Sequence, residues 1–435
     1  MKKKIFLIVL LLFSFLLVRG QRADVREEVF ANPLRSYGND FPYPAETYRQ
    51  TPSPKGYKPF YISHYGRHGS RYYWESSFYK RIDSLLTDAH TRGILTEAGE
   101  EFYRQFSSLL PELTVRVTEL TPLGYEQHAR IAKTMYDSFP EIFKKGGHVE
   151  AFSSLEGRCI VSMAAFCQSL AGLNDKLDIY QRASKETLGA VVPDSKDNPL
   201  RWTCDPEPFP VPGEPSVSAS PAAGKMPFVD MFFKEASLDE TEAKTIQSTL
   251  NTLYTSLPSI GHEGLMEEPY TLDEMYSRWD VSNAGAYRHY WSRRKLAVPI
   301  VEDILDRAEA VISGKSSEIA DLRFGHDSYL GPLNILLGMD GSLTVPADPD
   351  DFEYVYQNYN TCMAGNIQLI FYKSRKPGSD ILVKALLCGR EVTLPLPGDR
   401  YPYYRWSDFR KFYRDLCDSA RTADNLHYSI KIKHL

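Results

Sequence analysis

The sequence contains few cysteines, and none of them is closely paired. Six cysteines are spread over 435 residues without a CxxC pair. This spacing excludes a dense disulfide framework and argues against a structural zinc site. Cys159 and Cys167 fall on one predicted helix, about 12 Å apart along its axis, which is too far for a disulfide. The pairing of the other cysteines stays open.

Long apolar runs are also scarce. The longest uncharged apolar run covers residues 5–18, and its 14 residues fall short of the roughly 20 that a membrane-spanning helix needs. It follows three lysines and precedes Arg19-Gly20, which is the layout of a secretory signal. We therefore predict a signal peptide over residues 1–20, a periplasmic or secreted location, and no stable membrane span after cleavage. Retention of the run as an anchor is the alternative.

An excess of positive charge is absent too. The formal net charge is −5, and removal of the cationic signal would make the chain more acidic still. Nucleic-acid and anionic-membrane binding require a basic face, so the sequence predicts neither. If the substrate is an anion, positive charge must be concentrated in a cleft. The 43% hydrophobic residues suffice for a large core, in two lobes rather than one.

Strand and helix patterns alternate in two separate parts of the chain. We predict an α/β fold: a three-layer α/β/α core with a central mixed sheet, and an inserted, mainly α-helical lobe. The predicted strands cover 58–64, 149–153, 319–324, 366–372 and 381–387. The predicted helices cover 76–90, 96–110, 122–139, a segment ending at 170, 327–337 and 406–420. The predicted division is an irregular N-terminal wrap at 21–57, the first core part at 58–184, the helical lobe at 185–313 and the second core part at 314–435.

The most informative local pattern is Arg67-His68-Gly69-Ser70-Arg71, directly after a predicted buried strand. Sites in α/β proteins assemble in loops at strand ends. Two guanidiniums offer forked donors to the equatorial oxygens of a phosphoryl group, and glycine lets the backbone approach closely. Histidine is a nucleophile that works as a neutral ring at mild pH. The pattern therefore favours phosphoryl transfer over a solvated basic loop.

This pattern resembles the RHGxR signature of the histidine phosphatase superfamily, in its acid phosphatase and phytase branch. Three further segments match in the expected order: Leu-Thr-Pro-Leu-Gly-Tyr-Glu-Gln-His at 120–128, Ser-Ser-Leu-Glu-Gly-Arg-Cys at 153–159, and Gly-His-Asp at 325–327. With the segments at 363–369 and 386–395, the resemblance is closest to multiple inositol polyphosphate phosphatases and related bacterial enzymes. It covers nearly the whole chain after the signal.

The resemblance implies a role for each matching residue. His68 would be the covalent nucleophile and Asp327 the proton donor. The phosphate-binding residues would be Arg67, Arg71, Arg158 and His326. It also implies a small phosphate monoester substrate such as phytate, an acidic pH optimum, and no metal or other cofactor, since the arginines supply the positive charge.

Two positions depart from the family pattern. Tyr73 stands where the branch usually has proline, two residues after the second arginine. The distal histidine is followed at once by Asp327 and then Ser328, whereas inositol polyphosphatases usually carry an HAE element. The HD arrangement is that of phytases and acid phosphatases, so it weakens the transfer of substrate identity.

A structural interpretation also exists for each of the three matched residues that lie outside the RHGxR loop. Arg158 could pair with Glu156, His326 could be a core histidine, and Asp327 could cap the following helix. Their joint appearance at strand ends favours the functional interpretation. His128 and Arg130 are interpreted as helix-surface residues.

Several functions remain open on the sequence alone. One is a broad acid or sugar-phosphate phosphatase, and another is a phosphomutase, against which the predicted export argues. The alternative from another class is a non-catalytic phosphoester-binding protein, which would have no use for a proton donor at Asp327. The oligomeric state and the position of attack on an inositol ring cannot be read from the residues.

Overall fold

A computed structural model describes residues 25–213, 224–398 and 400–424. The predicted signal peptide at 1–20 lies outside the described residues. Within those three ranges, none of the helices combines the length and the apolar character that crossing a bilayer requires.

The centre of the molecule is a sheet with eight described strands. These are β1 Tyr57–Arg67, β2 Gly147–Ser153, β3 Leu177–Arg182, β4 Glu318–Gly325, β5 Asn366–Ser374, β6 Leu382–Leu387, β7 Arg390–Glu391 and β8 Tyr403–Arg405. Their order is β3-β2-β4-β1-β5-β6-β7, with β8 paired to β6. The sequence predicts five of the eight, and the three that it misses are short or lie near the sheet edges.

The sheet is mixed, and its parallel half aligns three strand ends. The strands β3, β2, β4 and β1 pair in parallel, whereas β5, β6, β7 and β8 add antiparallel pairs. In the register of β1 and β4, Arg67 pairs with Gly325, and in that of β2 and β4, Ser153 pairs with Phe324. The carboxyl ends of β2, β4 and β1 therefore lie side by side at one edge of the sheet, where ligands bind in α/β folds.

Helices cover the sheet and extend beyond it. The α-helices are α1 Val25–Ala31, α2 Ser76–Thr91, α3 Glu97–Val115, α4 Pro122–Ser138, α5 Pro140–Phe143, α6 Gly157–Leu173, α7 Pro227–Phe232, α8 Glu240–Ile260, α9 Leu272–Ser292, α10 Val298–Ile312, α11 Asp327–Leu336, α12 Phe352–Val355 and α13 Trp406–Asp424. Short 3-10 helices include Pro33–Asp40, Lys185–Ala190, Arg294–Ala297 and Asn358–Thr361. At the start of α4, Thr121 accepts a hydrogen bond from the amide of Gly124, with proline in the first turn, as its sequence predicts.

The two faces of the sheet carry separate cores, which confirms the predicted three layers. Alternation along β1 directs Tyr61 and Tyr65 to one face, where they pack with α10, α11 and α13. Ile62 points to the other face and packs with α4 and α6. Such alternation is what a strand buried on both sides requires.

A third core is formed mainly by helices. Its buried side chains come from residues 72–113 and 228–266, so α2 and α3 pack with α7 and α8. Helix α10, within the segment that the sequence assigns to the helical lobe, packs on the sheet instead. The N-terminal segment also differs from the irregular wrap expected at 21–57, because residues 25–31 and 33–40 are helical.

A buried cation braces the middle of the sheet. Arg323 of β4 is fully buried and donates to Ser63 on β1 at 2.9 Å and, through Nε, to Asp303 on α10 at 3.0 Å. Its guanidinium also lies 5.1 Å from the ring centre of Phe152. The arginine thus ties β1, β4 and a covering helix together.

Replacement of this cation should destabilise the fold. Arg323→Met leaves a carboxylate against the sheet without its main partner, so the free energy of unfolding should fall by about 3–5 kcal/mol. Urea unfolding followed by circular dichroism measures the change. Arg375→Met, at an exposed position, is the matched control. A loss no larger than that of the control would contradict the bracing role.

Candidate active site

His68 stands at the end of β1, held on both sides by backbone. Its amide donates to the Gly325 carbonyl at 3.0 Å, and its own carbonyl accepts from the Ala364 amide at 2.8 Å. The ring Nδ1 lies 2.9 Å from the Gly69 carbonyl. Because a carbonyl only accepts, Nδ1 carries the hydrogen and Nε2 keeps its lone pair.

The surroundings keep this imidazole neutral. His68 is only 2% exposed. Burial lowers its pKa well below the usual value, and the charges of Arg67, Arg71, His326 and Arg158 lower it further. A neutral ring with a free Nε2 is the form of histidine that can attack phosphorus.

Arg67 is fixed from two distant segments of the chain. Its Nη1 donates to the carbonyl of Asn39 at 2.5 Å and to that of Thr361 at 2.9 Å. Its Nη2 lies 3.7 Å from a carboxylate oxygen of Asp327. The guanidinium is therefore oriented before any ligand binds.

The charges of the other two predicted arginines act on the same imidazole. Arg71 is half-buried, donates to the Tyr72 carbonyl at 3.0 Å, and has its pKa lowered by burial and by Arg67. Arg158 pairs with Glu156 at 3.0 Å, and its Nη2 lies 3.4 Å from Nδ1 of His326. The ion pair with Glu156 and the position in the site are therefore both present.

Two side chains hold the loop after His68. The Gly69 amide donates to the hydroxyl of Ser162 on α6 at 3.1 Å, and the Ser70 amide donates to Gln127 on α4 at 2.9 Å. Gln127 in turn donates to the Ser70 hydroxyl at 2.9 Å. A Cβ at Gly69 would lie 2.5 Å from the Gly124 carbonyl oxygen, so glycine is required for this close approach.

His326 lies opposite His68 across the cluster. The two ring centres are 5.6 Å apart. Nε2 of His326 lies 3.1 Å from the Ser154 hydroxyl. Burial lowers the pKa of His326 to about 4, helped by Arg158, against the opposing effect of Asp327. In the free protein the ring is therefore neutral at pH 5 and above.

Asp327 is the first residue of α11 rather than its cap, so its interpretation as an N-cap is wrong. His326 occupies the cap position. One carboxylate oxygen of Asp327 accepts from Tyr290 at 3.2 Å and lies 3.4 Å from the Asn39 amide nitrogen. Burial would raise the pKa of Asp327, but Arg67 and Arg71 outweigh it and lower the pKa.

The structure thus brings together all six predicted site residues and adds two that the sequence does not predict. The additional residues are Asn39 and Tyr290, which both hold Asp327. Their segments carry no motif, and the only signal was the dense polar run Gly-Asn-Asp at 38–40. The sequence gives no reason to place that run beside the strand ends.

The surface interpretation of His128 is wrong. Its side chain is 1% exposed and packs against Phe324, with ring centres 5.7 Å apart. Burial lowers its pKa to about 3. Arg130 is tied to the carbonyls of Tyr43 and Pro44, at 2.9 and 3.1 Å. His128 therefore belongs to the core beneath the sheet edge.

Comparison with known proteins supports the motif assignment. The family model described as histidine phosphatase superfamily (branch 2) matches residues 66–215. This range holds the RHGxR loop and Arg158, and it ends before the distal histidine. The resemblance to histidine phosphatases is thereby confirmed. No curated protein sequence matches the chain significantly.

Solved structures of such phosphatases share the fold. The multiple inositol polyphosphate phosphatase of Bifidobacterium longum, solved with inositol hexasulfate, has a TM-score of 0.63 and 18% identity, covering 86% of this chain and 96% of its own. The phytase of D. castellii has a TM-score of 0.62 and 14% identity, covering 89% and 85%. At these identities the likeness establishes the fold.

An added methyl group at Gly69 should strongly weaken phosphate binding and lower any activity. Gly69→Ala forces a Cβ against the backbone of Gly124, so the loop must shift and the arginines lose their geometry. We expect affinity for inorganic phosphate, measured by calorimetry, to fall by about a hundredfold or more. Gly157→Ala is the matched control, because no atom lies within 4 Å of its added Cβ. Equal affinities in the two variants would contradict this account of the loop.

Anion binding should protonate His326. A bound phosphate dianion favours the charged imidazole, so the pKa should rise from about 4 in the free protein to above about 6 with phosphate. The dianion must then bind more tightly as the pH falls through this interval. Proton NMR of the ring resonances, assigned by comparison with His326→Asn, follows the titration. An identical midpoint with and without phosphate would exclude contact between the anion and this ring.

Proposed function

We propose that the protein is a phosphomonoesterase that acts through a phosphohistidine on His68, with inositol polyphosphates such as phytate as its substrates. The observation that carries the proposal is one buried, neutral imidazole with a free Nε2 that lies under the charge of three arginines. Its ring centre is 5.6 Å from that of His326, and Asp327 lies beside Arg67. The family match supports phosphatase activity in general. The covalent step and the substrate are proposed.

The first step transfers the phosphoryl group to the ring. Nε2 of His68 forms a bond to phosphorus while the ester P–O bond breaks, and the departing alkoxide takes a proton from Asp327. Arg67, Arg71 and Arg158, with His326 as a cation, hold the equatorial oxygens and stabilise their charge. The Gly69 carbonyl accepts from Nδ1 throughout and keeps the ring aimed at the phosphorus.

The second step releases phosphate. A water molecule gives a proton to the Asp327 carboxylate and forms a bond to phosphorus as the N–P bond breaks. His68 returns to its neutral state and Asp327 is protonated again. No step needs a metal ion, because the guanidiniums supply the positive charge, and the proposed enzyme uses no cofactor.

The free site does not have the protonation states that the first step needs. At pH 5 the lowered pKa values leave Asp327 ionised and His326 neutral. A substrate dianion raises both pKa values, since it repels the carboxylate and attracts the imidazolium. The acidic pH optimum expected from the sequence then reflects protons that arrive with the substrate.

The choice of substrate rests on the related structures. The B. longum enzyme was solved with inositol hexasulfate and the D. castellii protein is a phytase. The HD arrangement at 326–327 is shared with acid phosphatases, so a broad acid or sugar-phosphate phosphatase is the second candidate. An export signal at 1–20 would place either enzyme in the periplasm or outside the cell.

A binding protein without catalysis is the candidate from another class. A pure binder would need the arginines but no acid beside the leaving group. Here, Asn39 and Tyr290 both hold one oxygen of Asp327. This positioning of a carboxyl group favours an enzyme.

Removal of the nucleophile and of the acid should separate these functions. We expect His68→Ala to lower kcat by at least a thousandfold, and Asp327→Asn by roughly 10²–10⁴-fold, with phosphate still bound. Phosphate release from inositol hexakisphosphate, glucose 1-phosphate and p-nitrophenyl phosphate is measured between pH 4 and 8 in the presence of EDTA. His148→Ala, outside the site, is the control.

Three results would count against the proposal. Ordinary turnover by His68→Ala would refute the nucleophile. Loss of wild-type activity in EDTA, restored by zinc, would refute the metal-independent mechanism. Phosphate binding without hydrolysis of any ester would favour the binding protein.

A further inference from the structure

Tyr290 is a buried tyrosine that takes no part in the chemical steps of the proposed mechanism. It lies in the last turn of α9, within the segment that the sequence assigns to the helical lobe, and is 5% exposed. Its hydroxyl oxygen lies 3.2 Å from Oδ2 of Asp327 and 2.7 Å from Nδ2 of Asn39. The hydroxyl thus contacts the proposed proton donor directly.

The ring of Tyr290 reaches Asp327 by packing on α11. Asp327 begins this helix, and Gly331 lies one turn later on the same face. A Cβ at Gly331 would lie 2.6 Å from the Tyr290 ring, so a side chain there would displace the ring. Tyr356 also packs against the ring, with ring centres 6.4 Å apart. The position of the hydroxyl is therefore fixed by packing as well as by hydrogen bonds.

The carboxylate of Asp327 determines the direction of the hydrogen bonds around it. An ionised carboxylate only accepts, so the Tyr290 hydroxyl and Nδ2 of Asn39, which is 3.4 Å away, both donate to Oδ2. The Tyr290 oxygen in turn accepts from Asn39. Nη2 of Arg67 lies 3.7 Å from the same carboxylate oxygen. Three different side chains thus direct their donors to Oδ2.

The other oxygen of Asp327, Oδ1, has different surroundings. Among the described residues, the hydrogen bonds and the ion pair of Asp327 all involve Oδ2. A proton on Oδ2 would face the hydrogens of Tyr290 and Asn39 and break at least one of these bonds, which is costly for a buried donor. A proton on Oδ1 leaves both bonds intact. The network therefore distinguishes two oxygens that are equivalent in a free carboxyl group.

We propose that Tyr290 and Asn39 are positioning residues that occupy Oδ2 of Asp327, so that the catalytic proton is carried by Oδ1 and passes from there to the leaving group. The proposal deepens the proposed function and rests on it. Neither residue touches the reacting phosphoryl group, and both act through Asp327. The helical lobe and the N-terminal segment thereby each contribute one side chain to the orientation of the acid.

The proton transfer balances in both steps. In the first, the Oδ1–H bond breaks together with the P–O bond of the ester, and the leaving oxygen keeps the electron pair of the P–O bond and gains the proton. The negative charge left on Asp327 is stabilised at Oδ2 by Tyr290 and Asn39. In the second step, Oδ1 takes a proton from the water molecule that attacks the phosphohistidine.

The identity of the leaving group tests the proposal. p-Nitrophenolate is a good leaving group that needs little protonation, whereas phenolate and an inositol alkoxide depend on the acid. Steady-state kinetics give kcat/KM for p-nitrophenyl phosphate, phenyl phosphate and inositol hexakisphosphate in the wild type, Tyr290→Phe and Asn39→Leu. Tyr287→Phe is the matched control, because this buried tyrosine of the same helix donates to the Ser342 carbonyl at 2.8 Å instead.

The expected losses depend on the ester. In Tyr290→Phe and Asn39→Leu, kcat/KM should fall by about tenfold or more for phenyl phosphate and inositol hexakisphosphate, but by less than about threefold for p-nitrophenyl phosphate. Affinity for inorganic phosphate, measured by calorimetry, should stay close to that of the wild type, because the arginines keep their acceptors. Tyr287→Phe should change the three esters equally.

Two outcomes would count against the positioning role. Equal losses for phenyl and p-nitrophenyl phosphate in Tyr290→Phe would overturn it and leave the proposed function standing, as would the ester-dependent pattern in Tyr287→Phe. Absence of hydrolysis of every ester by the wild type would refute the proposed function and the positioning role together.

Discussion

The arrangement at the sheet edge depends on one constraint: three guanidiniums must be held around one buried imidazole. Like charges brought close together repel strongly where water is scarce, and Arg67 and Arg158 accordingly lower the pKa of Arg71. The protein compensates with fixed acceptors, namely the Asn39 and Thr361 carbonyls for Arg67, the Tyr72 carbonyl for Arg71, and Glu156 for Arg158. These acceptors orient the arginines, so a phosphate that enters the proposed site would meet donors that are already aligned.

This constraint explains why distant segments meet at one edge. The parallel strands β2, β4 and β1 place their carboxyl ends side by side, and each delivers one part of the site. The compensating acceptors come from elsewhere, from the 3-10 helices at 33–40 and 358–361. The N-terminal segment is therefore part of the site's electrostatics as well as a cover for the fold.

The sequence predicts the charged residues of the site well, and it predicts poorly the acceptors that compensate the charge of the arginines. Short motifs after strands reveal His68 and Arg158 because their chemistry is local. Asn39 is positioned by a left-handed glycine that lies close to Asn358, which leaves no periodic pattern. The helix pattern misplaces His128, because it gives the spacing of buried positions without showing whether a second layer covers them. Likewise, periodicity shows that α10 is amphipathic but not that its apolar face meets the sheet.

The compensation of the arginine charges by acceptors and carboxylates also affects the proposed catalysis. The arginines hold Asp327 ionised and help to keep His326 neutral, so the site without substrate is in the wrong protonation state for the first step of the proposed mechanism. In that mechanism, a substrate dianion would reverse both effects by binding to the arginines itself. Binding and proton uptake would then be one event, and the proposed acid would be protonated only when a phosphate is there to be cleaved. This coupling follows from the charges alone. The phosphate dianion would replace Asp327 as the anion that the arginines stabilise, so Asp327 would then bind a proton more readily.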